Sequence, residues 1–385
     1  MNFDQVFDRR NSESVKWLTY PKEVLPLWVA DMDFQCPQAV KDALHERVDH
    51  GIFGYGVPPA DFAEIVTERM RRRYGWNVAE KEINYVPGVV TGFNLGIRAV
   101  CQPGDAVIIH TPAYPPFYSG PQNADLVLVK NPLIRNADNS YSIDFDLFEK
   151  QIIENKVKAF ILCNPQNPTG RVFTHDELAR LAEICLRRQV IICADEIHCD
   201  IIYEGHKHIP IASLSPEISS ITMTFMAPSK TFNIAGLYAS VVVTQSPDLN
   251  EKLCTTRNGI VGYPDVLAMT AARAAYKYCG DWLEELLKYL QGNRDWLYQA
   301  LPEKLPGVHM ALPEGTFLAW LDCRALGLER NYKDFFLENA KVALNDGLEY
   351  GKDGRGFVRL NFGTQRATLM EAVERMSAAY AQAVK

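Results

Sequence analysis

Several things are missing from this sequence. Its nine cysteines form no Cys-x-x-Cys pair and follow no fixed spacing. That argues against a disulfide framework or a thiolate metal site, and it fits small buried hydrophobes in a reducing compartment, Cys163 and Cys193 being the examples inside apolar runs. No apolar run approaches membrane-spanning length, and the opening "MNFDQVFDRRNSES" carries no apolar segment of the kind that leads export. The expectation is a soluble protein of the cytoplasm. An excess of positive charge is also absent. The formal net charge of −7 disfavours nucleic acid or an anionic membrane as partner. The basic run "ERMRRRYGW" interleaves with Glu64, Glu68 and Met70 at helical spacing, as a solvated helix face does. Internal repeats, low-complexity tracts and long linkers are missing too.

What is present suits a large α/β protein. The chain has 385 residues, 47% of them hydrophobic, enough for a sizeable core and a second, smaller unit. Between about 84 and 244, short runs rich in β-branched residues alternate with helical segments. The runs are "AVIIH", "VKAFILC", "VIICA", "ITMTFM" and "ASVVVT". Continuous apolar strands separated by helices predict a mostly parallel sheet buried on both faces. "FTHDELARLAEICLRR" opens on a capping box of Thr174 and Glu177, flanked by the pair Phe173 and Leu178. After Thr244 the texture changes. An amphipathic helix with Leu283, Leu286, Leu287, Leu290 and Leu297 on one side leads to the strand-like "GTFLAWLDC" and "GFVRLNFG". The expected division is a large domain over 46–275 and a smaller α+β domain made of 1–45 and 276–385. "PLWVADMDFQCP" near the start reads as an ordered loop.

Ligands of open α/β sheets sit where strands end. Four predicted strand ends carry unusual residues: Tyr114 in "TPAYPPF", Asn167 in "NPQNPTG", Asp195 at the close of "VIICAD", and Lys230 in "APSKTFN". Each alone is an ordinary turn, cap or packing residue; together they suit pyridoxal phosphate. That cofactor needs a lysine for covalent attachment and an acid beside its ring nitrogen, and it accepts an amide at the ring oxygen and an aromatic face. "YVPGVVTGFNLGIRAV" adds a turn at Gly88 followed by a helix start, whose free N–H groups suit a phosphate.

The ordered motifs P-G-V-V-T, T-P-A-Y, N-P-Q-N-P-T-G, A-D-E-I-H and S-K-T-F-N span nearly the whole chain. They resemble the class I/II aminotransferase-like, fold-type-I pyridoxal-phosphate enzymes. "WVADMDF", "GIFGYG", "DEIHCDI" and "APSKTFNIAG" further resemble the MalY/PatB-type cystathionine β-lyases, or C–S lyases. The resemblance implies that Lys230 binds the cofactor and moves the α-proton, that Asp195 pairs with the ring nitrogen, that Asn167 bonds the ring oxygen and that Tyr114 stacks. It implies phosphate contacts from Gly88, Val89, Val90 and Ser229. Tyr55 is implied to reach the site from a neighbouring subunit, hence a homodimer with active sites at the subunit interface. Arg359, with Asn167, is implied to grip the substrate α-carboxylate. Departures from the aminotransferase pattern are His198 for a tyrosine near the cofactor, Tyr238 for an arginine and Ala227 for a serine. They favour a lyase of sulfur amino acids over an aminotransferase; a non-catalytic regulator on the same fold is the third reading. A metal site from His198, His206 and His208 lacks acidic or thiol ligands at matching spacing.

Overall fold

The computed structural model describes residues 1–384. Seven strands form its main sheet: β1 (Ile83–Val86), β2 (Ala106–Thr111), β3 (Val127–Pro132), β4 (Val157–Cys163), β5 (Ile191–Asp195), β6 (Thr222–Met226) and β7 (Ser240–Val243). Their spatial order is β1-β7-β6-β5-β4-β2-β3. All pairings are parallel except those of β7, which runs antiparallel to both β6 and β1. Six strands therefore point the same way, and their carboxyl ends lie along one edge. The fold is α/β, as the sequence predicts. One strand goes beyond the expected ones: β3, whose exposed edge position dilutes its apolar pattern; β1 is the strand whose end precedes the Gly88 turn.

Both faces of the sheet are covered. Val107, Ile109, Ile161 and Cys193 face the helix α1 (Val89–Val100), whereas Ile108, Phe160, Leu162 and Ile192 face α2 (His175–Arg188). The alternation along each strand sends successive side chains to opposite faces. Helix α1 comes unusually close to the sheet. A Cβ on Gly92 or Gly96 would lie 2.8 or 2.9 Å from the Phe225 ring, so glycine four residues apart makes the close approach. Helix α2 starts on the predicted capping box, with the Thr174 hydroxyl accepting from Glu177 N, and buries Leu178, Leu181, Ile184 and Cys185.

The C-terminal part carries a second sheet of β8 (Leu318–Asp322), β9 (Asn345–Asp346) and β10 (Phe357–Asn361), antiparallel in the order β8-β10-β9. It packs with the long helix Gly280–Lys304 and the helix Arg366–Ala383. The chain start joins this part: Leu25–Pro26 pairs in parallel with Val342–Ala343.

The basic run needs correction. Arg71 and Arg72 are exposed, as a solvated face requires, but Arg69 turns inward and reaches the Asp200 carboxylate at 2.6 Å. Arg73 reaches it at 3.0 Å, and the hydroxyls of Tyr74 and Thr231 donate to it at 3.0 Å each. Helical spacing could not reveal this, because the acid that draws these bases inward lies some 130 residues away. Burial opposes charge on Asp200, but Arg69 and Arg73 outweigh it and hold the carboxyl well below its usual range. A depressed carboxyl contributes stability above the unfolded range, near pH 4, and loses it on acidification. Asp200→Ala strands a buried guanidinium, and the expected loss is about 3–5 kcal/mol of unfolding free energy by urea titration at pH 7. A loss below about 1 kcal/mol would mark these contacts as no stronger than surface pairs.

Candidate active site

The carboxyl edge of the main sheet opens into a cleft of about 630 Å³, walled on its other side by β10 and the residues before it. Strand β5 ends on Asp195, so a carboxylate emerges directly from a buried run. Its Oδ1 accepts the amide of Ile197 at 3.1 Å. Burial raises its pKa to about 7, partly offset by that amide and by the positive charge of Lys230.

Strand β6, buried throughout, gives way at Ala227 to a single helical turn, Pro228–Thr231. Pro228 suits the first position of that turn because its missing N–H would have no partner there. The turn places Lys230 at the cleft floor. Its Nζ donates to the carbonyl of Ala30 at 2.7 Å. Burial, then repulsion from Arg359, lowers its pKa to about 8. Thr231, one residue on, is the residue anchored to Asp200.

Helix α1 begins after Gly88, which holds a positive φ of 92°, and the first N–H groups of a helix, here those of Val89, Val90 and Thr91, find no acceptor within it. Such a helix start is an anion site. Ser229 and Tyr238 line the cleft beside it. Strand β4 leads to Asn167, whose Oδ1 accepts from Arg359 Nη1 at 3.0 Å. Tyr114, after β2, lines the wall, and burial raises its hydroxyl pKa. His198 is buried, and its Nδ1 has no partner. Burial, with the nearby Lys230 and Arg359 charges, keeps its pKa well below 6.5, so the ring is neutral.

Arg359 comes from the middle of β10. Its Nη2 donates to the carbonyl of Trp28 at 2.8 Å and to Asn345 Oδ1 at 2.7 Å. Its Nε is buried without a partner, and the guanidinium lies 5.1 Å from the Tyr350 ring centroid. A buried donor left free in an open cleft is ready for an incoming acceptor.

Ten of the eleven predicted site residues thus line one cleft: Gly88, Val89, Val90, Tyr114, Asn167, Asp195, His198, Ser229, Lys230 and Arg359. Tyr55 does not. It is fully exposed and lines a separate surface hollow with Phe53 and Tyr263. Cys163 is half-buried at the cleft, not sealed in the core as expected. His208 binds Glu196 at 2.9 Å in the interior.

The structure adds residues that sequence reasoning passed over. The loop Trp28–Ala30 crosses the cleft. Asn361 holds it through the carbonyls of Val29 and Asp31, and Asn233 binds Met32 on both backbone polar groups. A cluster of Arg9, Lys16, Asp31 and Asp33, with contacts of 2.7 Å, pins the loop from outside. The segment "PLWVADMDFQCP" is an ordered loop, as its pattern predicts, but nothing local assigns it to the site. Asn345, Glu349 and Tyr350 also line the cleft.

The family model for aminotransferase class I and II matches residues 22–376. The chain belongs to that family. Among relatives of this class I and II aminotransferase family member, the cystathionine beta-lyase PatB of Bacillus subtilis is 42% identical over 387 residues, covering 98% of this chain and 100% of the relative. A solved structure of a PLP-bound putative aminotransferase from Clostridium difficile is 38% identical with a TM-score of 0.95, covering 98% of this chain and 99% of that one. The PLP-bound C–S lyase of Staphylococcus hominis is 32% identical at a TM-score of 0.95 and is covered end to end.

The lowered pKa of Lys230 yields a direct measurement. With its pKa lowered to about 8, Lys230 carries far more free amine at pH 8 than a lysine of pKa 10.5 does. In protein freed of small molecules, brief acetylation at pH 8 should modify Lys230 ahead of surface lysines, read by peptide mass spectrometry. Labelling of Lys230 no faster than the surface set would contradict the lowered value.

Proposed function

We propose that the protein is a cytoplasmic, pyridoxal-phosphate-dependent carbon–sulfur β-lyase acting on sulfur amino acids of the cystathionine type. The observation that carries this reading is the convergence of Lys230, Asp195, Asn167, Tyr114 and Arg359 in one cleft, in a chain that aligns end to end with a cystathionine β-lyase. Among the described residues no helix is long and apolar enough to cross a membrane.

The donor set fits the cofactor. Lys230 binds it covalently, and Asp195 holds a proton at its ring nitrogen. A carboxylate whose charge is disfavoured by burial gains strongly from a cationic N–H partner. Asn167 meets the ring oxygen, Tyr114 packs on the ring face, and His198 contributes a neutral ring beside it. The phosphate falls to the free amides of Val89 and Val90 after Gly88 and to the Ser229 hydroxyl. Tyr55 joins them from a second copy of the chain. Its full exposure, with exposed Phe53 and Tyr263 beside it, supports a homodimer built on that apolar patch. The pairing of Leu25–Pro26 with Val342–Ala343 likewise supports a small domain of 1–45 and 276–385 beside a large one of 46–275.

Pyridoxal phosphate, when bound, supplies an electron sink for negative charge at the substrate α-carbon. Arg359 holds the α-carboxylate through its free Nε and fixes the α-carbon over the floor. Lys230, with its pKa near neutrality, takes the α-proton as general base. The β-thiolate then departs, and the remaining three-carbon fragment hydrolyses to pyruvate and ammonia. An aminotransferase is the second reading, favoured by the solved putative aminotransferase of similar fold. It shares the proton removal but requires a keto acid to complete its cycle. His198, Tyr238 and Ala227 stand where the aminotransferase pattern has other residues, which supports elimination.

Purified enzyme given cystathionine and no keto acid should release pyruvate, ammonia and homocysteine steadily. Turnover that appears only on adding a keto acid would replace the lyase with the aminotransferase. Truncating one side of a buried charge pair costs about 2–5 kcal/mol, so Arg359→Ala should raise KM for amino-acid substrates by at least about thirtyfold. The cofactor absorbance should persist. An unchanged KM would move carboxylate binding to another residue.

A further inference from the structure

Every carbonyl of the segment 27–32, the strap that crosses the cleft, has a donor, and the donors alternate. Those of Leu27, Val29 and Asp31 all accept from Asn361: its backbone N–H reaches Leu27 at 2.9 Å, and its Nδ2 reaches Val29 and Asp31 at 2.6 Å each. Those of Trp28, Ala30 and Met32 accept from Arg359, Lys230 and Asn233. Asn361 stands two residues after Arg359 on β10, so both side chains leave the strand on one face. It is fully buried, and its Oδ1 accepts the N–H of Gly363 at 2.7 Å. Both ends of its amide are therefore occupied, which fixes its orientation. Arg359 has other holders in Asn167 and Asn345. Lys230 has none: among the described residues the Ala30 carbonyl is the one hydrogen-bond acceptor of its Nζ. The place of that amine thus depends on Ala30, and Ala30 is held from both sides, at Val29 and at Asp31.

We propose that Asn361 is a positioning residue for Lys230: by gripping the strap on either side of Ala30, it sets the Ala30 carbonyl as the cradle of the lysine amine whenever that amine is free of the cofactor. The proposal rests on the C–S lyase reading, in which Lys230 moves the α-proton, and adds to it a residue outside the cleft lining. A carbonyl that accepts from Nζ favours the ammonium form and so works against burial. The charged groups facing Nζ are Arg359, Asp31 and Asp195, with neutral His198 beside them. Of these only Asp31 is carried by the strap, and it too favours the ammonium form.

The test compares the wild type with Asn361→Ala, which leaves Val29 and Asp31 without a side-chain donor, and with Asn361→Ser, whose hydroxyl still serves one carbonyl. The serine variant decides the matter if the alanine variant does not fold. In protein freed of small molecules, acetylation of Lys230 is followed against pH by peptide mass spectrometry. A released strap removes the Ala30 carbonyl and draws Asp31 away, so the midpoint should move below its wild-type value. Mere loosening of the fold would admit water and move it the other way, toward an ordinary lysine. In holoenzyme, kcat for pyruvate release should fall about ten- to a hundredfold, as a misplaced reacting group does. KM should change by less than about threefold, because Asn167 and Asn345 still hold Arg359. A midpoint that stays or rises, an unchanged kcat, or a KM that rises in step with the loss of kcat would overturn the proposal. Wild type that releases no pyruvate from cystathionine would remove the lyase reading. The acetylation midpoint needs neither substrate nor cofactor, and it would still decide whether Asn361 positions Lys230.

Discussion

A sheet covered on both faces leaves chemistry only at its ends. Helices α1 and α2 seal the two faces with apolar side chains, and the closeness of α1, made by Gly92 and Gly96 against Phe225, leaves no room there for a ligand. Because six of the seven strands run the same way, their carboxyl ends open together on one edge. Asp195 follows β5, Lys230 follows β6 by one helical turn, and Asn167 and Tyr114 follow β4 and β2. A single antiparallel neighbour among these four would have carried one group to the opposite edge. Parallel pairing is thus the constraint on which the site depends.

The same burial sets the charge states. Taking Asp195 and Lys230 out of water moves both pKa values toward neutrality, the acid upward and the base downward. Neither shift requires a strained geometry. Arg359 reinforces the second by repulsion and is itself held by carbonyl and amide oxygens instead of a carboxylate. Its charge therefore stays free for an acidic ligand. Behind the floor lies the opposite arrangement. Asp200 is engaged by Arg69, Arg73, Tyr74 and Thr231, a network that anchors the turn carrying Lys230 through Thr231. An open charge faces the cleft, and a closed one supports it from the back.

Much of this was legible in the sequence because it is local. Apolar runs and their boundaries give β2, β4, β5, β6 and β7, and the Thr174–Glu177 box gives the start of α2 at the observed residue. The ordered motifs place nine cleft residues through likeness to a family, and the same likeness adds Arg359 in "GFVRLNFG". The exposed strand β3 was less visible, since an edge strand need not be apolar throughout.

The sequence by itself determined which side chains stand at strand ends, because side-chain direction and strand termination follow from neighbours a few residues apart. Only the tertiary structure decided what those side chains meet. Lys230 donates to Ala30 across 200 positions, Arg359 to Trp28 across 331, and Asp200 gathers arginines from a helix some 130 residues earlier. No periodicity encodes such pairs. They form when packing brings distant segments together and each buried polar group takes the partner within its reach.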